Sequence, residues 1–313
     1  MTKFKFNGCN YRFKDSFENF IYIKKLTNKS DETIKAYTRC YNKFMGFVDT
    51  ELLCSEVNEE LYLKYFEYLR NQSIAIKTVH TYLNHLKIII KFMIEKEQVK
   101  PFKMLLPNVP RKFKEIYTDE ELNLLLLTPK PLTQKNFAEI RTWAMIYHCL
   151  ETSCRLKDLA FTKISDLDFD NNFIKVTNHK SKSELIMPMS NEYKDAILKY
   201  LSVRGKANSE CLFCTIYGTA FEDYRSIKKI IREYNLRRGV KKTSVHLFRH
   251  TYSTNWVATD GNVKKLQRIL GHKTSDTVDF YINTIQGNSL RDATEKHGIL
   301  GKIAKKEIKK KFY

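Results

Sequence analysis

The sequence predicts two mainly helical domains, the second a mixed α/β unit that is mostly helix around one small antiparallel sheet. Apolar residues recur at helical spacing through most of the chain. One stretch, Phe173 to Pro188, changes to short apolar runs on either side of a polar turn. Pro101, Pro107 and Pro110, with the basic pair Arg111 and Lys112, break the helical pattern and mark a boundary. At 313 residues and 42% hydrophobic content, the chain can build a core on each side of that break.

Residues 1–13 carry little pattern and read as an extended arm. From Ser16 to Leu26, Phe17, Phe20, Ile21 and Leu26 form an approximate helical stripe, and Ser30 precedes a second helix through Ile34, Tyr37, Tyr41, Phe44 and Phe47. Asn58 caps a third helix with Leu61, Tyr65, Phe66 and Leu69 on its apolar side. A fourth runs from about Ile76 to Glu97 through Val79, Leu83, Leu86, Ile90 and Met93. These place a small all-helical domain at residues 1–105 and an extended linker at 106–114, with the second domain over 115–313.

In the second domain, Thr118 followed by Glu121 is a capping box opening a helix through Leu127. A longer helix covers about Asn136 to Glu151 with Ile140, Met145, Ile146 and Leu150. Phe173, Ile174 and Val176, a turn containing His179, Lys180, Ser181 and Lys182, and then Leu185, Ile186 and Met187 predict a hairpin with lysines at its tip. Helices resume at Asn191–Arg204 and Tyr224–Arg238, with a short strand expected at Cys211–Thr215.

The formal charge of +20, from 55 Lys and Arg against 35 Asp and Glu, exceeds what solubility needs and points to a polyanionic partner. Nucleic acid is the first candidate. A membrane is disfavoured, because no window of about 18 uninterrupted apolar residues and no signal-peptide core is present. Seven cysteines do not make a disulfide framework, so a reducing cytoplasm is expected. Cys211 and Cys214 form a CxxC that lacks a second pair, and no metal site is expected from it. Lys35, Arg39, Lys43, Lys77, Thr78, Tyr82 and Lys87 in the first domain, with Arg111 in the linker, are candidate DNA contacts. Any one such position is more often a solvated helix face; together, with the net charge behind them, they favour DNA.

The chemistry concentrates between His246 and Tyr281. His246 and Arg249 are three apart and share a helix face, Gly271 and His272 close a helical pattern, and Tyr281 follows nine residues later. Arginines, a lysine, histidines and a tyrosine suit phosphoryl transfer without a metal: guanidinium groups offset transition-state charge, tyrosine is a nucleophile, and lysine or histidine protonates a leaving oxygen.

In these motifs the chain resembles the tyrosine recombinases, the family of phage integrases, Xer recombinases and conjugative-transposon integrases. TSCRLKDL is similar to the family's TGxRxxEL box, which makes Arg155 the first phosphate-binding arginine. Ser153 stands where glycine is usual, and Asp158 where glutamate is usual, as a supporting acid. The family lysine lies eight residues before the proline after the second strand, which is Lys180 counted from Pro188; Lys182 is the alternative. HLFRHT resembles the HxLRHT box, implying proton transfer for His246 and a second phosphate clamp for Arg249. The LGH ending at His272 matches the last box, and Tyr281 takes the nucleophile's place.

The resemblance implies an N-terminal helical, SAM-like core-binding domain and a C-terminal catalytic domain ending in a partner-docking tail. It implies site-specific strand exchange on double-stranded DNA through a 3′-phosphotyrosyl link and a Holliday junction, with no cofactor. A homo-tetramer on two DNA sites is the implied assembly, with a directionality factor or second recombinase as further partners the family admits. Two neighbouring classes share part of the pattern: a type IB topoisomerase and a helical DNA-binding regulator without strand transfer.

Overall fold

The computed structural model describes residues 11–110, 115–179, 183–259 and 261–271. Contacts divide the chain into two compact units, Met1–Lys112 and Phe113–Tyr313. Among the described residues no helix is long and apolar enough to cross a membrane.

The first unit is built from α1 (Phe13–Leu26), α2 (Asp31–Met45), α3 (Glu59–Arg70) and α4 (Ile76–Glu95). Ser30 Oγ caps α2 by accepting from Thr33 N, and Asn58 Oδ1 caps α3 by accepting from Leu61 N at 2.9 Å. α4 is the centre, because its 3.6-residue apolar repeat buries Val79, Leu83, Leu86, Ile90 and Met93 against α1, α2 and α3. The rest of this core is largely aromatic, with Phe17 stacked on Tyr41 at 3.9 Å and Phe44 edge-on to Tyr65 at 5.0 Å.

In this unit one feature differs from the sequence reading. α1 begins at Phe13, three residues before the stripe's start, because Phe13 is fully buried against Phe44 and its N–H donates to Leu52 O at 2.9 Å. Residues 101–110 are without helix or strand, and the part of that stretch placed within the first domain belongs to this core. Val99 and Met104 are buried there, and Phe102 and Leu106 pack on it. Tyr62 Oη donates to Leu105 O at 2.8 Å and Lys87 Nζ to Met104 O at 3.1 Å, which satisfies carbonyls that an extended chain leaves open.

The second unit contains α5 (Asp119–Leu126), α6 (Phe137–Thr152), α7 (Leu156–Phe161), β1 (Leu167–Asp168), β2 (Phe173–Asn178), β3 (Ser183–Pro188), α8 (Asn191–Arg204), α9 (Ser226–Arg237), α10 (Val245–Ala258) and α11 (Val263–Leu270). The Thr118–Glu121 capping box forms in both directions. α6 is buried on nearly every side, including Trp143 and Met145, and packs against α5, α8, α9 and α10. The sheet runs β1-β2-β3, antiparallel throughout, with Phe173 opposite Pro188 and Asn178 opposite Ser183. β1 is two residues long and α7 six, too short for periodicity to reveal.

Residues 211–215 are not a strand; they make one isolated bridge, Lys163 with Cys211. Leu212, Phe213 and Cys214 are buried as their apolar character requires. Side chains rather than a neighbouring strand take their carbonyls: Arg204 Nη2 donates to Cys211 O at 3.0 Å, Tyr200 Oη to Leu212 O at 3.0 Å and Arg141 Nη1 to Cys214 O at 2.8 Å.

Leu86→Ala, which empties the middle of α4, should destabilise the chain by about 2–5 kcal/mol, whereas Asn58→Ala should cost about 1 kcal/mol through the lost cap. Urea unfolding of the two variants beside the parent measures both.

Candidate active site

The site is assembled where four chain segments end. α6 stops at Thr152, and Ser153 takes the left-handed conformation at φ 52° and ψ 27°, which turns the chain sharply into α7. Glycine suits that position because a Cβ is strained there, so Ser153 meets a backbone demand that its residue type opposes. Its hydroxyl is fully buried and has no hydrogen-bond partner among the described residues.

The turn delivers Arg155 to the start of α7. Arg155 Nη1 donates to Asn178 Oδ1 at 2.7 Å and Nη2 to Leu270 O at 3.1 Å. Arg249, buried on α10, donates from Nη1 to Ser153 O at 2.7 Å and from Nη2 to Leu270 O at 2.6 Å. Both guanidinium groups therefore meet on one carbonyl. Leu270 is the last residue of α11, and Gly271 follows in the left-handed region at φ 59°. A helix C-terminus leaves its last carbonyls unpaired and carries the negative end of the helix dipole, so it is a natural acceptor for two cations.

Asp158, buried one turn into α7, accepts from Arg155 N at 3.3 Å and, through Oδ1, from both the backbone N and ring Nδ1 of His179 at 3.0 Å. It thus ties the start of α7 to the residue before Lys180. It makes no ion pair with either arginine, so the described site holds two guanidinium charges against one carboxylate committed elsewhere. Such a site favours an anion.

His246 lies exposed in the first turn of α10, and His250 is half-buried. Lys180, Lys182, His272 and Tyr281 lie outside the described residues, as does Arg111. The structure therefore brings together Arg155, Asp158 and Arg249, with His246 on the same helix as Arg249. Of the candidate DNA contacts, Lys35, Arg39, Lys77 and Thr78 are exposed and Tyr82 is half-buried. Lys43 is engaged with Gln72 Oε1 at 3.2 Å and lies over the Tyr68 ring, and Lys87 is committed to Met104 O.

Sequence reasoning passed over Asn178 and the Leu270 carbonyl. The first carried a legible signal: Ile174, Val176 and Asn178 share one face of β2, so a polar residue occupies an inward position. The second carried none, since a backbone acceptor has no residue type.

The chain thus has a helical unit and a mixed α/β unit, and in the second unit two arginines converge on the end of α11. The chain belongs to the phage integrase family, whose model matches residues 115–286, while the phage integrase SAM-like domain matches residues 3–104. It is 25% identical over 277 residues to a tyrosine recombinase of Pseudothermotoga lettingae, covering 84% of this chain and 91% of that one. It is also 25% identical over 288 residues to tyrosine recombinase XerA of Pyrococcus furiosus, covering 90% and 94%. Among solved structures, the Tn1549 transposon integrase in complex with circular intermediate DNA superposes with a TM-score of 0.70 at 19% identity, covering 91% of this chain and 99% of that one. A lambda integrase dimer bound to a COC′ core site gives 0.67 at 11% identity, covering 86% and 94%.

Ser153→Gly should stabilise the catalytic unit by about 1 kcal/mol, because it relieves a left-handed non-glycine residue and removes a buried unpaired hydroxyl. Calorimetry should show a melting temperature raised by a few degrees, and a lower value would contradict the strain argument.

Proposed function

We propose that this chain is a cytoplasmic site-specific DNA recombinase that cuts and rejoins strands through a covalent bond to Tyr281. The observation that carries the reading is the convergence of Arg155 and Arg249 on the Leu270 carbonyl, two residues before His272. Two guanidinium groups already fixed against one oxygen can offset the charge that builds on a phosphodiester under attack, with little reorganisation. Family membership supports the same reading, as do the DNA complexes of the structurally similar integrases.

In this mechanism the Tyr281 oxygen attacks the scissile phosphorus as its proton leaves, assisted by His246. The bond from phosphorus to the 5′-oxygen breaks, and Lys180, or Lys182 in its place, gives the leaving oxygen a proton. Arg155, Arg249 and His272 hold the non-bridging oxygens. The product is a 3′-phosphotyrosyl strand and a free 5′-hydroxyl. Attack by a 5′-hydroxyl from a second duplex reverses the chemistry on a new partner, so the bond energy is kept and no cofactor is consumed. Two rounds, separated by a Holliday junction, exchange both pairs of strands within a tetramer on two sites.

The first unit serves as the core-binding domain in this reading. α4 opens at Ala75 without a side-chain cap and without an acidic residue in its first turn, and Lys77 and Thr78 are exposed there. An uncapped helix start flanked by a lysine suits a DNA phosphate.

Tyr281→Phe should bind DNA with parental affinity yet form no covalent adduct on a nicked suicide duplex; an adduct with this variant would remove Tyr281 from the role. With the parental chain, a supercoiled plasmid carrying two core sites should yield recombinant circles. Relaxation alone would reassign the chain as a type IB topoisomerase, and an intact plasmid as a binding protein. Lys77→Ala should weaken binding about equally across DNA sequences and reduce the salt slope of log affinity by about 1, measured by fluorescence anisotropy over a salt series.

A further inference from the structure

Asn178 hydrogen-bonds both the first arginine and the carbonyl that the two arginines share. It ends β2 and is 7% exposed. Its Oδ1 accepts from Arg155 Nη1 at 2.7 Å, and its Nδ2 faces Leu270 O at 3.4 Å. Its backbone is held from both sides. On one side the ladder pairs Asn178 with Ser183; on the other, His179 is gripped by Asp158 through its N–H and its ring. A side chain on so constrained a backbone has little freedom to follow Arg155 if the guanidinium rotates, so the arginine must conform to the amide.

We propose that Asn178 is a positioning residue for strand cleavage: its neutral amide fixes the plane of the Arg155 guanidinium while leaving that group's charge for the scissile phosphate. The proposal rests on reading this site as the recombinase active site. The choice of amide follows from charge. Arg155 Nη2 already leans on the Leu270 carbonyl, a partial negative charge that Arg249 shares, so the site keeps most of its positive potential. A carboxylate in place of the amide would accept the same 2.7 Å bond at nearly the same volume, but would neutralise Arg155 inside a buried site, where charge interactions are strong. An alanine would leave Nη1 without its acceptor and the guanidinium plane unset.

These two substitutions separate electrostatic positioning from mere structural support. Asn178→Asp keeps shape and acceptor and gains an ion pair with Arg155, but it loses the Nδ2 donor to Leu270 O, so its melting temperature should fall by no more than about a few degrees. Its cleavage rate on a phosphodiester should nevertheless fall on the order of 10², the scale of losing one oxyanion donor, with DNA affinity nearly unchanged. On the same duplex with a methylphosphonate at the scissile position, which carries no negative charge, the gap between variant and parent should shrink several-fold. A structural defect would slow both substrates alike.

The probe is obtained from the parental chain. A plasmid library of random duplex inserts is incubated with it, the DNA ends left on the protein are sequenced, and a nicked duplex of that sequence is made with each linkage. Parental adduct with Asn178→Asp slowed on the phosphodiester, and less slowed on the methylphosphonate, supports the assignment. Parental adduct with Asn178→Asp at the parental rate, or slowed equally on both linkages, overturns it while leaving the recombinase reading intact. If Asn178→Asp fails to fold, Asn178→Ala decides: a parental rate overturns the proposal, and a loss in turnover without a loss in affinity supports it. A parental chain that leaves no covalent end overturns the recombinase reading and this proposal with it.

Discussion

The grip of two guanidinium groups on the Leu270 carbonyl is the interaction on which the catalytic unit depends. Arg155 enters from the turn after α6, Arg249 from α10, and the acceptor is the end of α11. Two like charges at one oxygen repel each other, and the arrangement holds because each group also has a second anchor: Asn178 for Arg155 and Ser153 O for Arg249. The anchor on Ser153 exists because that residue adopts a left-handed conformation, which points its carbonyl at α10. A local backbone strain and a long-range cation contact are therefore one feature.

The sheet matters to the site through its edge near the turn rather than through its bulk. β2 delivers Asn178 to the arginine and His179 to Asp158, so both ends of the segment 155–158 hold the hairpin just before Lys180. Aspartate at position 158 has one methylene less than the glutamate usual in the resemblance, yet it spans Arg155 N and His179 with a single carboxylate. The reach is sufficient because the start of α7 lies against the end of β2, where Arg155 Nη1 donates to Asn178 Oδ1 at 2.7 Å and His179 N to Asp158 Oδ1 at 3.0 Å.

The first unit is stabilised differently. Its core is dominated by phenylalanine and tyrosine rings around α4, and it extends into the proline-broken stretch through Val99 and Met104. Large rings compensate for a small unit by burying more apolar area per residue. Its cations divide into two groups. Lys43 and Lys87 are spent inside the unit, on Gln72 and on the Met104 carbonyl, while Lys35, Arg39 and Lys77 remain exposed.

The sequence by itself determined the helices with strong repeats, the hairpin, the capping at Asn58 and Thr118, and the order of the chemical motifs. Each of these is a local property: 3.6-residue or two-residue periodicity, a cap side chain two or three residues from its donor, a residue type at a fixed spacing. It also singled out Arg155 and Arg249 as candidates. Tertiary structure decided what those arginines hold and what holds them. The Leu270 carbonyl is 115 residues from Arg155, and a backbone oxygen has no letter in the sequence. The same limit hid the fate of residues 211–215, an apolar run that reads as a strand but whose carbonyls are taken by Arg141, Tyr200 and Arg204 instead of a neighbouring strand. A run of apolar residues specifies burial; only the surrounding side chains specify whether a buried backbone is paired as sheet.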